Sequence, residues 1–199
     1  GPRGASSPPT ASRAEQKSFI HELWPQAQKA AEQLGVAAEN LVAQAALETN
    51  WGRSVPQDTA GHSSNNLFGI KASEGWGGSS VSAGTSEFAG ATAHATTAQF
   101  RAYDSRTQSF EDYVSLLKSN PRYAAALNTG SNVQAFAGAL QRGGYATDPQ
   151  YAHKVSSIAS DVASTLRDSG ASSRTPDTSA EPLKLASAGP ITAGADSLL

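Results

Sequence analysis

The stretch Ala43-Gln44-Ala45-Ala46-Leu47-Glu48-Thr49-Asn50-Trp51-Gly52 carries an apolar helix to its end and leaves a single carboxylate there. Leu41, Val42, Ala45 and Ala46 recur at helical spacing, Asn40 is placed to cap the start, and Gly52 stands close enough to stop the end. Glu48 therefore falls at the negative end of a helix dipole, which disfavours an ionised carboxyl. Apolar neighbours such as Leu47 and Trp51 add desolvation of the same sign. Both effects raise the pKa, and a carboxyl still protonated near neutral pH is what a glycosidase acid requires. A surface glutamate at a frayed helix end would occupy the same position, so the rest of the chain has to decide.

Upstream, Ala14 to Leu34 places Phe19, Leu23, Ala27, Ala30 and Leu34 at three- and four-residue steps, and Gly35 ends the run. Pro25 lies inside it and predicts a kink or a break into two helices. Downstream, residues 53–80 are rich in Gly, Ser and Asn and read as loop, with a short ordered piece at Leu67 to Lys71. Weak alternation predicts two short strands, Thr85 to Phe88 and Ala98 to Tyr103, joined by a Gly-containing turn. Helices return at Ser109 to Leu117, in a short piece from Pro121, and at Asn132 to Gln141, closed by Gly143-Gly144. A last helix opens at Pro149 and runs to about Leu166. The fold class is α+β and mainly α: a helical body and a small antiparallel β lobe, with a cleft between them suited to an extended polymer.

Of the 199 residues, 1–13 read as a linker or tag remnant, 14–168 as the domain, and 169–199 as a disordered tail of Ser, Ala, Gly, Pro and Thr. The formal net charge is −2 with scattered basic residues, which points away from nucleic acid. There is no cysteine, so disulfides, thiolate metal sites and a cysteine nucleophile are excluded. No apolar run approaches the roughly 20 residues of a membrane span. His21, His62, His94 and His153 are dispersed without metal-ligand spacing, and no nucleophile elbow or P-loop occurs. The expectation is a monomer that uses no metal and no cofactor.

Glu87, in Thr85-Ser86-Glu87-Phe88 on the β lobe, is the natural second carboxylate. It would orient or deprotonate a water, or stabilise an oxocarbenium-like state; a strand glutamate facing solvent is the bland alternative. Tyr145, after Gly143-Gly144, would hydrogen-bond substrate or fix the acid, or else plug a helix end. Trp51 and Trp76 offer aromatic platforms for sugar rings, while Trp24 belongs to a core-facing helix. Tyr151 stands at the start of the last helix, where packing competes with a place in the cleft.

Three segments taken together resemble a known family: Ala43 to Gly52, then Asn66-Leu67-Phe68-Gly69-Ile70-Lys71, then Gly144-Tyr145-Ala146-Thr147-Asp148-Pro149-Gln150-Tyr151-Ala152. They look like glycoside hydrolase family 73, most closely its flagellum-associated members, over about Ala14 to Leu166. The resemblance implies a lysozyme-like fold and hydrolysis of the β-1,4 bond after N-acetylglucosamine in peptidoglycan, with the muramidase bond as the alternative. It places the family's acid on Glu48, its β-lobe carboxylate on Glu87 and its cleft tyrosine on Tyr145. Asn66, Phe68, Trp51, Trp76 and Tyr151 are then the candidates for holding glycan. It also implies flagellar rod proteins as partners and a periplasmic location. Glu87 as base for an attacking water is the mechanism the residues favour. A route through the substrate's own 2-acetamido group stays open, as does a wall-binding module without catalysis.

Overall fold

The computed structural model describes residues 10–173. Eight elements follow in order: α1 (Arg13–Leu34), α2 (Ala38–Thr49), β1 (Ser80–Ala89), β2 (Thr92–Arg101), α3 (Arg106–Ser119), a 3-10 turn (Pro121–Ala126), α4 (Val133–Arg142) and α5 (Tyr151–Ser173). The helical body and the small antiparallel lobe expected from the residue pattern are both present. Expectations that concern residues 1–9 and 174–199 lie outside the described residues.

α1 starts where its capping chemistry is. Ser12 Oγ accepts from the Glu15 amide at 3.2 Å, a side-chain N-cap, and the Ser12 hydroxyl donates to the Glu15 carboxylate. The helix does not break at Pro25. Buried Phe19, Ile20 and Leu23 before it, and Ala27, Ala30, Ala31 and Leu34 after it, anchor both halves in one core and outweigh the missing amide. Gly35, at φ 68°, turns the chain out.

Asn40 is not the cap of α2. The helix begins at Ala38, three residues earlier than an Asn40 cap would set it, because Val36 and Ala37 are held to Gly130 by a β-bridge and by the Ala37 amide donating to the Gly130 carbonyl at 2.8 Å. Asn40 is thereby carried inside the helix and buried. α2 packs on α1 and α5 and is buried along almost its whole length. Its small residues Ala43, Ala45 and Ala46 allow that close approach.

Both strands are ten residues long, against expected cores of four and six residues, and the second ends at Arg101 rather than Tyr103. Their register runs from Ser80 opposite Arg101 to Ala89 opposite Thr92, around a two-residue turn in which Gly90 takes φ 61°. Only Val81 and Phe100 are buried. With two polar faces the strands carry little hydrophobic alternation, which is why their length is hard to read from residue type. α5 continues to Ser173, past the expected Leu166.

Candidate active site

Glu48 lies on the last turn of α2, and the chain leaves it abruptly. Thr49 Oγ1 donates to the Ala45 carbonyl at 2.7 Å and accepts from the Gly52 amide at 2.9 Å. Asn50, Trp51 and Gly52 then take three successive left-handed conformations, with φ of 47°, 58° and 81°. Left-handed backbone at a tryptophan is strained. It turns the polypeptide away and leaves the Glu48 carboxyl facing a cleft of about 430 Å³ between helical body and hairpin.

Glu48 and Glu87 line the same cleft, together with Lys71, Tyr145, Thr147 and Tyr151. Their electrostatics are opposite. Burial pushes the Glu48 carboxyl up from 4.5 to about 7, against the pull of the Tyr151 hydroxyl and the Lys71 ammonium. The Glu87 carboxyl is held below its usual range, first by its hydrogen bond from Lys71 and then by Thr147. Lys71 Nζ donates to Glu87 Oε1, and Thr147 Oγ1 donates to Glu87 Oε2 at 2.9 Å. Near neutral pH one carboxyl therefore keeps much of its proton while the other is ionised, the division of labour of an acid and an anionic partner.

Thr147 also accepts from the Phe88 amide at 2.9 Å, so one hydroxyl ties the far end of β1 to the loop between α4 and α5. A two-stranded ribbon has little stability of its own. This tie, with the Lys71–Glu87 pair, holds the hairpin over the cleft.

Tyr145 is in the cleft wall, and its hydroxyl donates to the Phe68 carbonyl at 2.5 Å. Its ring stacks on Tyr151 at 6.2 Å and meets Tyr113 and Tyr123 edge-on. It thus fixes the loop at Gly69, and Gly69 is where the Glu48 carboxylate packs. A Cβ on that glycine would fall 2.6 Å from Glu48 Oε2, at a φ of 62°. Only glycine accepts both conditions.

The other candidates separate. Tyr151 lines the cleft; it is 2% exposed, and its hydroxyl lies beside the Glu48 carboxyl. Asn66 is fully buried: its amide donates to the Ile70 and Arg101 carbonyls at 2.8 and 2.9 Å, and its oxygen accepts from the Ile70 amide. That makes it the brace of the Leu67–Lys71 loop. Phe68 is 0% exposed, stacked on Tyr113 at 3.9 Å and edge-on to Phe110, so its ring is closed to a sugar and serves the core. Trp51 opens on a separate hollow of about 360 Å³ beside Phe19 and Leu23, away from the Glu48 cleft. Trp76 is outside the cleft lining too, with its indole nitrogen bonded to the Ser79 carbonyl and the Arg101 guanidinium 4.4 Å above its ring. A tryptophan near a catalytic motif in sequence need not face it in space.

Lys71, Thr147 and Gly69 are site residues that reasoning from residue types passes over. Lys71 and Gly69 belong to the second motif, and Lys71 is its one cation. Among the described residues no cluster of three or more His, Asp or Glu is arranged to hold a metal ion, and no helix is long and apolar enough to cross a membrane.

Residues 24–164 match the family described as mannosyl-glycoprotein endo-β-N-acetylglucosaminidase. The chain is 51% identical over 163 residues to the peptidoglycan hydrolase FlgJ of Pseudomonas aeruginosa, covering 80% of this chain and 41% of that protein. The chain spans less than half the length of the FlgJ relatives it matches. A crystal structure of a peptidoglycan hydrolase mutant from Sphingomonas sp. A1 superimposes with a TM-score of 0.72 at 45% identity, over 76% of this chain and 99% of that one. A C-terminally truncated glycoside hydrolase domain of Salmonella typhimurium FlgJ gives 0.61 at 40% identity, over 75% and 98%.

Proposed function

The chain belongs to the glucosaminidase family, and from that premise we propose that it hydrolyses the β-1,4 bond after N-acetylglucosamine in peptidoglycan, with Glu48 as general acid. The observation that carries the reading is the pair of carboxyls in one cleft with opposite proton affinities. A relative named peptidoglycan hydrolase, 51% identical, supports the substrate.

Glu48 donates its proton to the glycosidic oxygen as the bond to the anomeric carbon breaks. A pKa near 7 keeps that proton available at neutral pH and still lets it leave. Positive charge develops on the sugar ring, and the ionised Glu87 faces it from the hairpin. A general base works best with a pKa near the operating pH, whereas Lys71 and Thr147 draw the Glu87 carboxylate down. Glu87 is therefore better suited to stabilising the cationic ring and orienting the incoming water than to deprotonating it strongly. That favours a second route to the same products, in which the 2-acetamido oxygen of the substrate attacks the anomeric carbon and water later opens the intermediate. Tyr145 acts indirectly, by locking the loop on which Glu48 rests.

Opening the wall for a flagellar rod, contact with rod proteins, a periplasmic place of work and a monomeric state complete the proposal; all but the monomer follow from the family resemblance. The test is release of soluble fragments from purified peptidoglycan by the chain and by Glu48→Gln. The proposal expects release by the first and at least a thousandfold less by the second. Equal release by a folded Glu48→Gln protein would remove Glu48 from the chemistry.

A further inference from the structure

One row of polar side chains runs through the interior of α2. Asn40, Gln44 and Glu48 are spaced four apart and so share one helix face. Gln44 is 0% exposed, in a helix whose other buried residues are chiefly Ala, Leu and Val. Burying an amide there is costly unless both of its ends are used. One end is: Tyr113 Oη, from α3, donates to Gln44 Oε1. That leaves Nε2 as the free donor, and it has no hydrogen-bond partner. The Gln44 side chain also reaches the hydroxyl of Tyr151 on α5, which is likewise buried without a partner and stands beside the Glu48 carboxyl.

We propose that Gln44 is a positioning residue for the general acid: its Nε2–H group directs the Tyr151 hydroxyl so that the tyrosine proton points at Glu48. The direction follows from donor and acceptor bookkeeping. Tyr113 gives its proton to Gln44 Oε1, Gln44 gives one to Tyr151 Oη, and the only proton Tyr151 has left is the one facing Glu48. A carboxylate accepts such a bond better than a neutral acid does. The chain therefore stabilises Glu48 in the state it reaches after protonating the leaving group. Gln44 Nε2 and Tyr151 Oη are both buried without a hydrogen-bond partner, so each can satisfy the other. This inference rests on Glu48 as acid and adds what tunes it.

The groups facing Glu48 from the elements around it are Lys71 before β1, Tyr113 on α3, Tyr145 on the loop before α5 and Tyr151 on α5, with Glu87 and Arg122 across the cleft. Arg101 and Asp148 line the same cleft but are paired with Asp112 and Lys154. Gln44 itself carries no charge, so its replacement changes none of these directly.

The experiment is the pH profile of kcat/KM on soluble glycan fragments for the chain, Gln44→Met and Tyr151→Phe. Methionine keeps the length and bulk of glutamine without its donor or acceptor. Both variants should move the alkaline limb up by roughly one pH unit, the order of one lost hydrogen bond to a charged group. Gln44→Met combined with Tyr113→Phe removes the stranded hydroxyl, so it should regain thermal stability and keep the shifted limb. If Gln44→Met lowers rate or stability and leaves the limb in place, Gln44 is structural and the inference fails. If Glu48→Gln is as active as the parent, the reading of Glu48 fails first, whatever Gln44 does.

Discussion

Replacing Glu48 by Gln should make the protein more stable as well as inactive, and the gain should depend on pH. Burial raises the Glu48 carboxyl from 4.5 to about 7. A group with a raised folded-state pKa contributes stability that is whole below its unfolded value and is lost as pH climbs through the folded value. The window is therefore about pH 4.5 to 7. The loss is about 2.5 units at about 1.4 kcal/mol each, or roughly 3 kcal/mol. Glutamine is neutral at every pH and escapes it. At pH 4 the two proteins should be nearly equal. At pH 8 the variant should lead by about 3 kcal/mol, which for a domain of this size is roughly 6–12 °C in Tm. Urea denaturation of both proteins at pH 4, 6 and 8 measures the difference directly, since changes elsewhere in the molecule cancel between them. A constant difference across that range would mean that Glu48 ionises as it does in water, and the account of the acid would be wrong.

Lys71→Met removes the cation that draws both carboxyls down. Both limbs of the kcat/KM profile should move to higher pH and its maximum should fall; an unmoved acidic limb would separate Glu87 from catalysis. Gly69→Ala sets a methyl 2.6 Å from Glu48 Oε2 at a left-handed backbone position. It should cost about 1–2 kcal/mol of stability and at least tenfold in kcat, read by denaturation and by fragment release. Phe68→Ala should cost about 3–5 kcal/mol, and Trp76→Ala, at a half-buried ring beneath Arg101 and edge-on to Tyr103, should cost clearly less. Thr147→Val strips the acceptor from the Phe88 amide, so exchange of that amide with solvent deuterium should quicken while α2 amides keep their rates.

The helical body was open to reading because its elements combine apolar spacing with explicit stops: Gly35 after Leu34, Asn132 before Val133, Gly143 after Arg142. Two departures from local rules come from tertiary forces. Pro25 sits mid-helix because buried residues on both sides hold α1 together, and Asn40 lost its cap position because Gly130 captures the preceding residues. The hairpin was under-read because neither of its faces is hydrophobic. For Glu48 the helix end and Leu47 are local facts, but Trp51 turns to the other hollow, and distant segments carrying Gly69, Tyr145 and Tyr151 complete the burial that raises the carboxyl. Glu87 was legible only as a carboxylate in the right region. Its low proton affinity comes from Lys71 and Thr147, which are 16 and 60 residues away in sequence. The same distance problem misplaced the aromatic candidates. Phe68 and Trp51 stand next to motif residues, but the core and a separate hollow claim their rings.

Mass spectrometry of borohydride-reduced fragments, from peptidoglycan digested by the chain and in parallel by Glu48→Gln, tests the central claim most directly. The account predicts reduced N-acetylglucosamine ends from the chain and no fragments above background from the variant. Reduced N-acetylmuramic acid ends would contradict the assigned bond, and no fragments from the folded chain would contradict the assigned activity.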